Sequence, residues 1–175
     1  MNLSWTHIHL ILNHFPIVGA IFGLLLFIYA IFKNNQDLMQ ATYWVFVIIV
    51  LLAIPVFFSG TQAATVAHHL PNVSESIIHQ HRAIAEQTLI VLGMLGVLCF
   101  IALLVFRVPR KAPTWFTILL LVLVIIATAL VSWTGVRGGV IRHTEVRGEL
   151  EFLAPINETK PQDNKASETE TEHSH

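Results

Sequence analysis

AIAEQTLIVLGMLGVLCFIALLVF, running from Ala83 to Phe106, carries a single charged residue, Glu86. It is longer than the roughly 20 residues that cross a hydrocarbon core as a helix. Three further apolar runs accompany it: Phe15 to Phe32, Thr42 to Ser59 and Trp115 to Trp133. A transmembrane barrel strand would alternate apolar with polar residues, and these runs do not alternate. The expected fold is all-α: an antiparallel bundle of four transmembrane helices over residues 1–150, followed by a polar tail over 151–175. Composition agrees. Hydrophobic residues make up 54% of the chain and charged residues 12%, about half the charge of an ordinary soluble domain (about 25%). Net charge is −1, so bulk electrostatics selects no partner. Cys99 is the only cysteine, which excludes an internal disulfide and reads as a small packed hydrophobe. The first lysine is Lys33, so the charged start of a secretory signal peptide is missing.

The connections at Lys33–Ala41 and Arg107–Thr114 are short, which makes neighbouring spans antiparallel and puts both ends of the chain on one side, side A. Side A also holds the loop from Gly60 to Arg82. Trp5 and Trp133 fall at the side A interface, Trp44 and Trp115 at side B, as an aromatic belt requires. Side B carries Lys33, Arg107, Arg110 and Lys111 against one acid, Asp37. On side A, Arg82, Arg137, Arg142 and Arg147 are interspersed with five glutamates. The positive-inside rule makes side B cytoplasmic; the expected location is the bacterial inner membrane, with both termini periplasmic. From about Asn157 to His175 the chain is polar, acidic and free of aromatic residues, the composition of a disordered tail.

Local signals refine the spans. Asn13 is placed to cap the first, with Pro16 in its first turn. Asn72 followed by Glu75 resembles a capping box, so the third helix is expected to begin near Val73 and project above side A, carrying His79 and His81. Those two lie about 200° apart on a helix, so only one faces the bundle. Pro55 is expected to kink the second span. Gly19 with Gly23, and Gly93 with Gly96, suit close helix packing; room for a flat cofactor is the alternative.

All ten histidines fall on side A: His7, His9, His14, His68, His69, His79, His81, His143, His173 and His175. Asn13, Ser59, Thr61, Gln62, Glu86, Gln87, Ser132 and Thr134 fall there too, and the B half is almost purely apolar. Polar and ionisable groups near the membrane core are costly and mark function. A faint repeat points the same way. His14 opens a span, Gly60 closes the next and His68 follows eight residues later; His81, Gly135 and His143 repeat the spacing. Two hairpins so related would set His14, His68, His81 and His143 around one centre.

Imidazole is a good ligand for Fe, Cu and Zn, and haem iron accepts two axial histidines between apolar helices. Arginine forks suit haem propionates, and Arg82, Arg137 and Arg142 adjoin the candidate ligands. Glu86 either orients a ligand or serves as a carboxylate in a first helical turn. The plainer reading, an interfacial histidine satisfied by headgroups or water, is preferred for His7, His9, His69 and His79; His173 and His175 belong to the tail. There is no nucleotide loop, nucleophile triad, paired-cysteine motif or Cys-x-x-Cys-His for covalent haem, and no sign of nucleic-acid binding.

Three motifs carry a resemblance. His14-Phe15-Pro16-Ile17, the stretch from Gly60 through Leu70-Pro71-Asn72-Val73-Ser74 to His81 with Ala83 and Ala85, and Gly138-Gly139-Val140-Ile141-Arg142-His143-Thr144-Glu145 resemble a family of small four-span bacterial membrane proteins of unknown function. The similarity covers residues 9 to about 147. It implies functional roles for His14, His81 and His143, but not His68, and a respiratory setting beside c-type cytochromes.

The leading expectation is therefore an electron-transfer membrane protein binding b-type haem through His14, His81, His143 and His68 and passing electrons between quinol and a periplasmic c-type cytochrome. Two others stay open. One is a non-haem Cu, Zn or Fe site built from the same histidines. The other is an accessory subunit of a larger respiratory complex or a homo-oligomer. An electron-transfer or accessory role is preferred to that of a stand-alone enzyme, although the non-haem site would suit binding, delivery or catalysis.

Overall fold

The computed structural model describes residues 5–67, 75–107 and 110–142, with side chains at all of these except 6, 66, 67 and 140–142. The expected polar tail, the Asn72 cap, His68, His69 and His143 lie outside the described residues. Five helices follow in order: α1 (Trp5–Leu12), α2 (His14–Lys33), α3 (Gln36–Ala67), α4 (Glu75–Val105) and α5 (Thr114–Arg142). Helices α1 and α2 form one bent span, and four helical segments are long and apolar enough to cross a membrane. Helix α4 has 31 residues, about 46 Å at 1.5 Å per residue, which exceeds the roughly 30 Å hydrocarbon core. The helices therefore outrun the apolar runs that announce them, chiefly at the histidine end.

The short turns meet at the other end. The Gln36 side-chain amide donates to the carbonyls of Phe106 (3.0 Å) and Arg110 (3.2 Å), Gln40 donates to Phe106, and Lys111 Nζ donates to Asn34 Oδ1 at 3.1 Å. Asn34 adopts the left-handed conformation at φ 46° and closes α2 by donating its backbone N–H back into the last turn, as a C-terminal cap does. Helix α2 packs against α3 and α5, and α4 packs against the same two. The ring order is thus α2–α3–α4–α5, with α2 and α4 diagonal.

One pattern explains the packing. Buried residues of α2 recur at 16, 20, 23, 27 and 30, alternating steps of four and three. In α4 the buried Ile78, Thr88, Leu92, Leu95, Cys99 and Ala102 fit the same alternation, and the buried Gly96 and Leu103 widen the stripe by one residue. A strict 3–4 alternation is the seam of helices packed at shallow angles. The outside is as apolar as the inside: Phe22, Leu25, Phe58, Ile90, Val97, Leu119 and Ile126 are all exposed. In water such a surface would be untenable; in lipid it is the required one. The buried threonine hydroxyls are satisfied within their own helices, Thr42, Thr88 and Thr128 each donating to the carbonyl four residues back at 2.8 Å, whereas the buried Tyr43 hydroxyl has no partner among the described residues.

The glycines mostly serve close packing. A Cβ on Gly23 would meet Phe46 Cζ at 2.8 Å, on Gly96 Val50 Cγ2 at 2.8 Å, and on Gly19 Ile49 Cγ1 at 3.0 Å. Side chains, not a flat cofactor, fill those notches. Gly93 differs: nothing lies within 4 Å of its Cβ position.

Asn13 is not the expected cap. Its backbone is helical (φ −65°, ψ −22°), its side chain makes no capping bond, and its N–H donates to the His9 carbonyl at 2.9 Å. Helix α1 precedes it and supplies the carbonyls that a cap would replace. The break at Leu12 follows from Pro16, which has no N–H and whose ring collides with the carbonyl four residues back. Pro55 lies inside α3, which continues through it to Ala67.

Candidate functional site

Extending the buried stripe of α2 backwards by four-and-three steps from Pro16 reaches Asn13 and then His9. Extending that of α4 from Thr88 reaches Ala85 and then His81. On α3 the same steps carry Ile49 through Ala53 and Val56 to Gly60, and on α5 Ala127 through Val131 and Thr134 to Gly138. At the histidine end, therefore, the interior stripe of each span turns from apolar to polar or to glycine. His9 and His81 are its imidazoles.

Each ring sits on a glycine of another helix. A Cβ on Gly60 would lie 2.8 Å from His9 Cε1, and one on Gly138 would lie 3.1 Å from His81 Cε1. Any larger residue would displace the rings. His9 Nδ1 is 3.0 Å from the Val56 carbonyl and 3.3 Å from Ser59 Oγ. The carbonyl can only accept, so the proton is on Nδ1 and the lone pair of neutral His9 is on Nε2. His81 is half-buried on the interior stripe of α4. The Thr134 backbone lies against the His81 ring. Buried Nδ1 of His81 and Oδ1 of Asn13 make no hydrogen bond of good geometry among the described residues, and Tyr43 Oη, in the first turns of α3, is in the same position. Buried polar atoms are rarely left so. One turn below, Thr88 Oγ1 and Thr134 Oγ1 bond at 2.9 Å across α4 and α5.

The residues singled out from sequence are dispersed by comparison. His81 faces inward and His79 is exposed, as their angular separation requires. His14 is exposed, with Nδ1 donating to the Leu10 carbonyl at 2.9 Å. It stands five residues after His9, off the interior stripe. Arg82 is exposed and paired with Glu86 four residues on at 3.0 Å, so Glu86 serves the outer face of α4 rather than His81. An exposed pair of this kind contributes little stability. Arg137 is half-buried, its guanidinium 5.1 Å from the Trp133 ring centroid and 3.4 Å from Gln80 Oε1. The Arg142 side chain, like His68 and His143, is outside the described part. Among the described residues no three His, Cys, Asp or Glu side chains converge as a metal cluster.

The repeat acquires a different register. Gly60 seats His9, whereas the Cβ position of Gly135 is taken by Ile17 Cδ1 at 2.6 Å, and it is Gly138, one turn on, that seats His81. The two hairpins share a device, a histidine of the first helix on a glycine of the second, without sharing its spacing. His9 is the residue that reading by clusters and motifs passes over; the 3–4 stripe would have found it.

No protein-family model, curated protein or solved structure matches the chain.

Proposed function

We propose that this membrane protein transfers electrons through a b-type haem held between His9 and His81, at the end of the bundle opposite the short turns. The observation that carries the reading is the pair itself. Two imidazoles stand on the interior stripes of non-adjacent helices, each ring fitted to a glycine, one with Nδ1 tied to a carbonyl and the other set against the Thr134 backbone. Metal-bound histidines characteristically donate the other ring N–H to a backbone carbonyl, which fixes tautomer and orientation; Val56 does this for His9. His9 and His81 would hold such a haem, the apolar residues of the spans would wall the porphyrin, and the group would supply a one-electron redox change. Arg137 is available to a propionate, and Arg82 becomes available by releasing Glu86. His68, His143 and Arg142 belong to the same end by sequence and are further candidates for ligation or propionate binding.

The basic turns favour a cytoplasmic side B and so a periplasmic haem in a bacterial inner membrane, between quinol and a c-type cytochrome. The resemblance to small four-span proteins of respiratory settings points the same way. Absorption spectra of single variants test the ligand assignment. His9→Ala and His81→Ala should each remove or shift the reduced α band, while His14→Ala should leave it in place. Wild-type spectra from both of the first two variants would refute the pair. Stoichiometric Cu, Zn or Fe without porphyrin would reassign the same histidines to a non-haem centre.

A further inference from the structure

The turn end carries a second constellation that the histidine site does not use. Lys33, Arg107, Arg110 and Lys111 are all exposed there, and among the described residues none of them pairs with a carboxylate. The platform beneath them is fixed. Gln36 ties the start of α3 to the carbonyls of Phe106 and Arg110, Gln40 adds a bond to Phe106, and Lys111 reaches across to Asn34, next to Lys33. Lys33 lies over the Tyr29 ring at 5.7 Å from its centroid, which sets its ammonium at the edge of an apolar flank. On α2 itself Phe32 is 84% exposed and Tyr29 51%, and Trp115 at the start of neighbouring α5 is 67% exposed.

We infer that this end is a binding site for an anionic phospholipid. The phosphate is met by Lys33 and Lys111, with Arg107 and Arg110 adding charge, and the acyl chains lie on the flank of Phe32, Tyr29 and Trp115. The cations select for a negative headgroup, and the aromatic surface beside them selects for a lipid over a free phosphate. Interfacial lysines and arginines bind anionic headgroups through their summed charge, weakened by salt. The bond from Lys111 to Asn34, the neighbour of Lys33, brings cations of the two turns to one place.

The full chain in mild detergent, titrated with phosphatidylglycerol or phosphatidylcholine of matched acyl chains and read by native mass spectrometry, tests this. Phosphatidylglycerol should be retained in preference, with about fivefold weaker retention for each cation neutralised in Lys33→Gln and Lys111→Gln at low salt. The preference should vanish in the fourfold variant that also carries Arg107→Gln and Arg110→Gln. All four side chains are exposed, and circular dichroism checks that the variants keep their helices. Equal retention of the two lipids by the wild type, or an undiminished preference in the fourfold variant, would overturn the inference. So would displacement of the lipid by equimolar inorganic phosphate, which would show a phosphate site without lipid selectivity. Haem content does not enter this readout, so the result stands apart from that of the histidine site.

Discussion

A glycine that exists to seat a histidine should become unnecessary when the histidine is removed. At Gly60 an added methyl would come within 2.8 Å of His9 Cε1 and 3.1 Å of Nδ1, so Gly60→Ala must push the imidazole off α3. Overpacking of this kind costs about 1–3 kcal/mol. Losing the bond from His9 Nδ1 to the Val56 carbonyl adds about 1 kcal/mol, moderated because that carbonyl also accepts from Ser59 Oγ at 2.9 Å. Against this, alanine is preferred to glycine inside a helix by about 1 kcal/mol. In the wild-type background the substitution should therefore destabilise by about 1–3 kcal/mol. In the His9→Ala background the clash partner is gone and only the helix preference remains, so Gly60→Ala should be neutral or stabilising by up to about 1 kcal/mol. The change of sign, a coupling of about 2–3 kcal/mol between residues in contact, is the quantity to measure. Reversible unfolding of the four proteins in mixed micelles titrated with dodecyl sulfate, followed by circular dichroism, gives it. Equal effects of Gly60→Ala in both backgrounds would mean that His9 does not rest on Gly60, and the geometry of the site would fall with it.

Other consequences are simpler. Gly96→Ala should destabilise, since its Cβ would sit 2.8 Å from Val50 Cγ2, whereas Gly93→Ala, with nothing within 4 Å, should be neutral or mildly stabilising; the same unfolding assay compares them. Thr134→Val removes the hydroxyl that bonds Thr88 at 2.9 Å and should cost about 0.6 kcal/mol, the average for interhelical hydrogen bonds in membranes, and at most about 1.7 kcal/mol. Thr88→Val should cost the same, and the double variant no more than either alone. His14→Ala should leave unfolding nearly unchanged, because the ring is exposed and bonded only within its own segment; a loss as large as that of His9→Ala would place His14 in the interior after all.

The four membrane helices are legible from runs such as Ala83 to Phe106, because the bilayer imposes length and apolarity on every span and leaves little for tertiary context to alter. The placing of His9 and His81 at one end is legible too, since it needs only the alternation of spans. Which histidines enter the bundle is a matter of rotation about each helix axis, and clustering and motif matching do not contain it. His14 opens a recognisable motif yet points outward. His9, set aside as interfacial, falls on the stripe that runs back from Ala30 through Phe27, Gly23, Ala20 and Pro16. A 3–4 stripe is hard to see in membrane spans because the lipid-facing residues are as apolar as the buried ones; only small residues, hydroxyls and imidazoles betray the inner face. Asn13 illustrates the other difficulty. An asparagine before a helix with proline in its first turn has the signature of a cap, but α1 arrives already helical and its carbonyls leave a cap nothing to do.

The most direct test of the central claim is the reduced-minus-oxidised absorption spectrum of the full chain, purified in mild detergent from bacteria supplied with haem precursor. A sharpened Soret band and a resolved α band, both lost or shifted by His9→Ala and by His81→Ala, are predicted for a haem held by these two rings. A wild-type protein that remains colourless after haem is added in slight excess, with circular dichroism showing its helices intact, would contradict it.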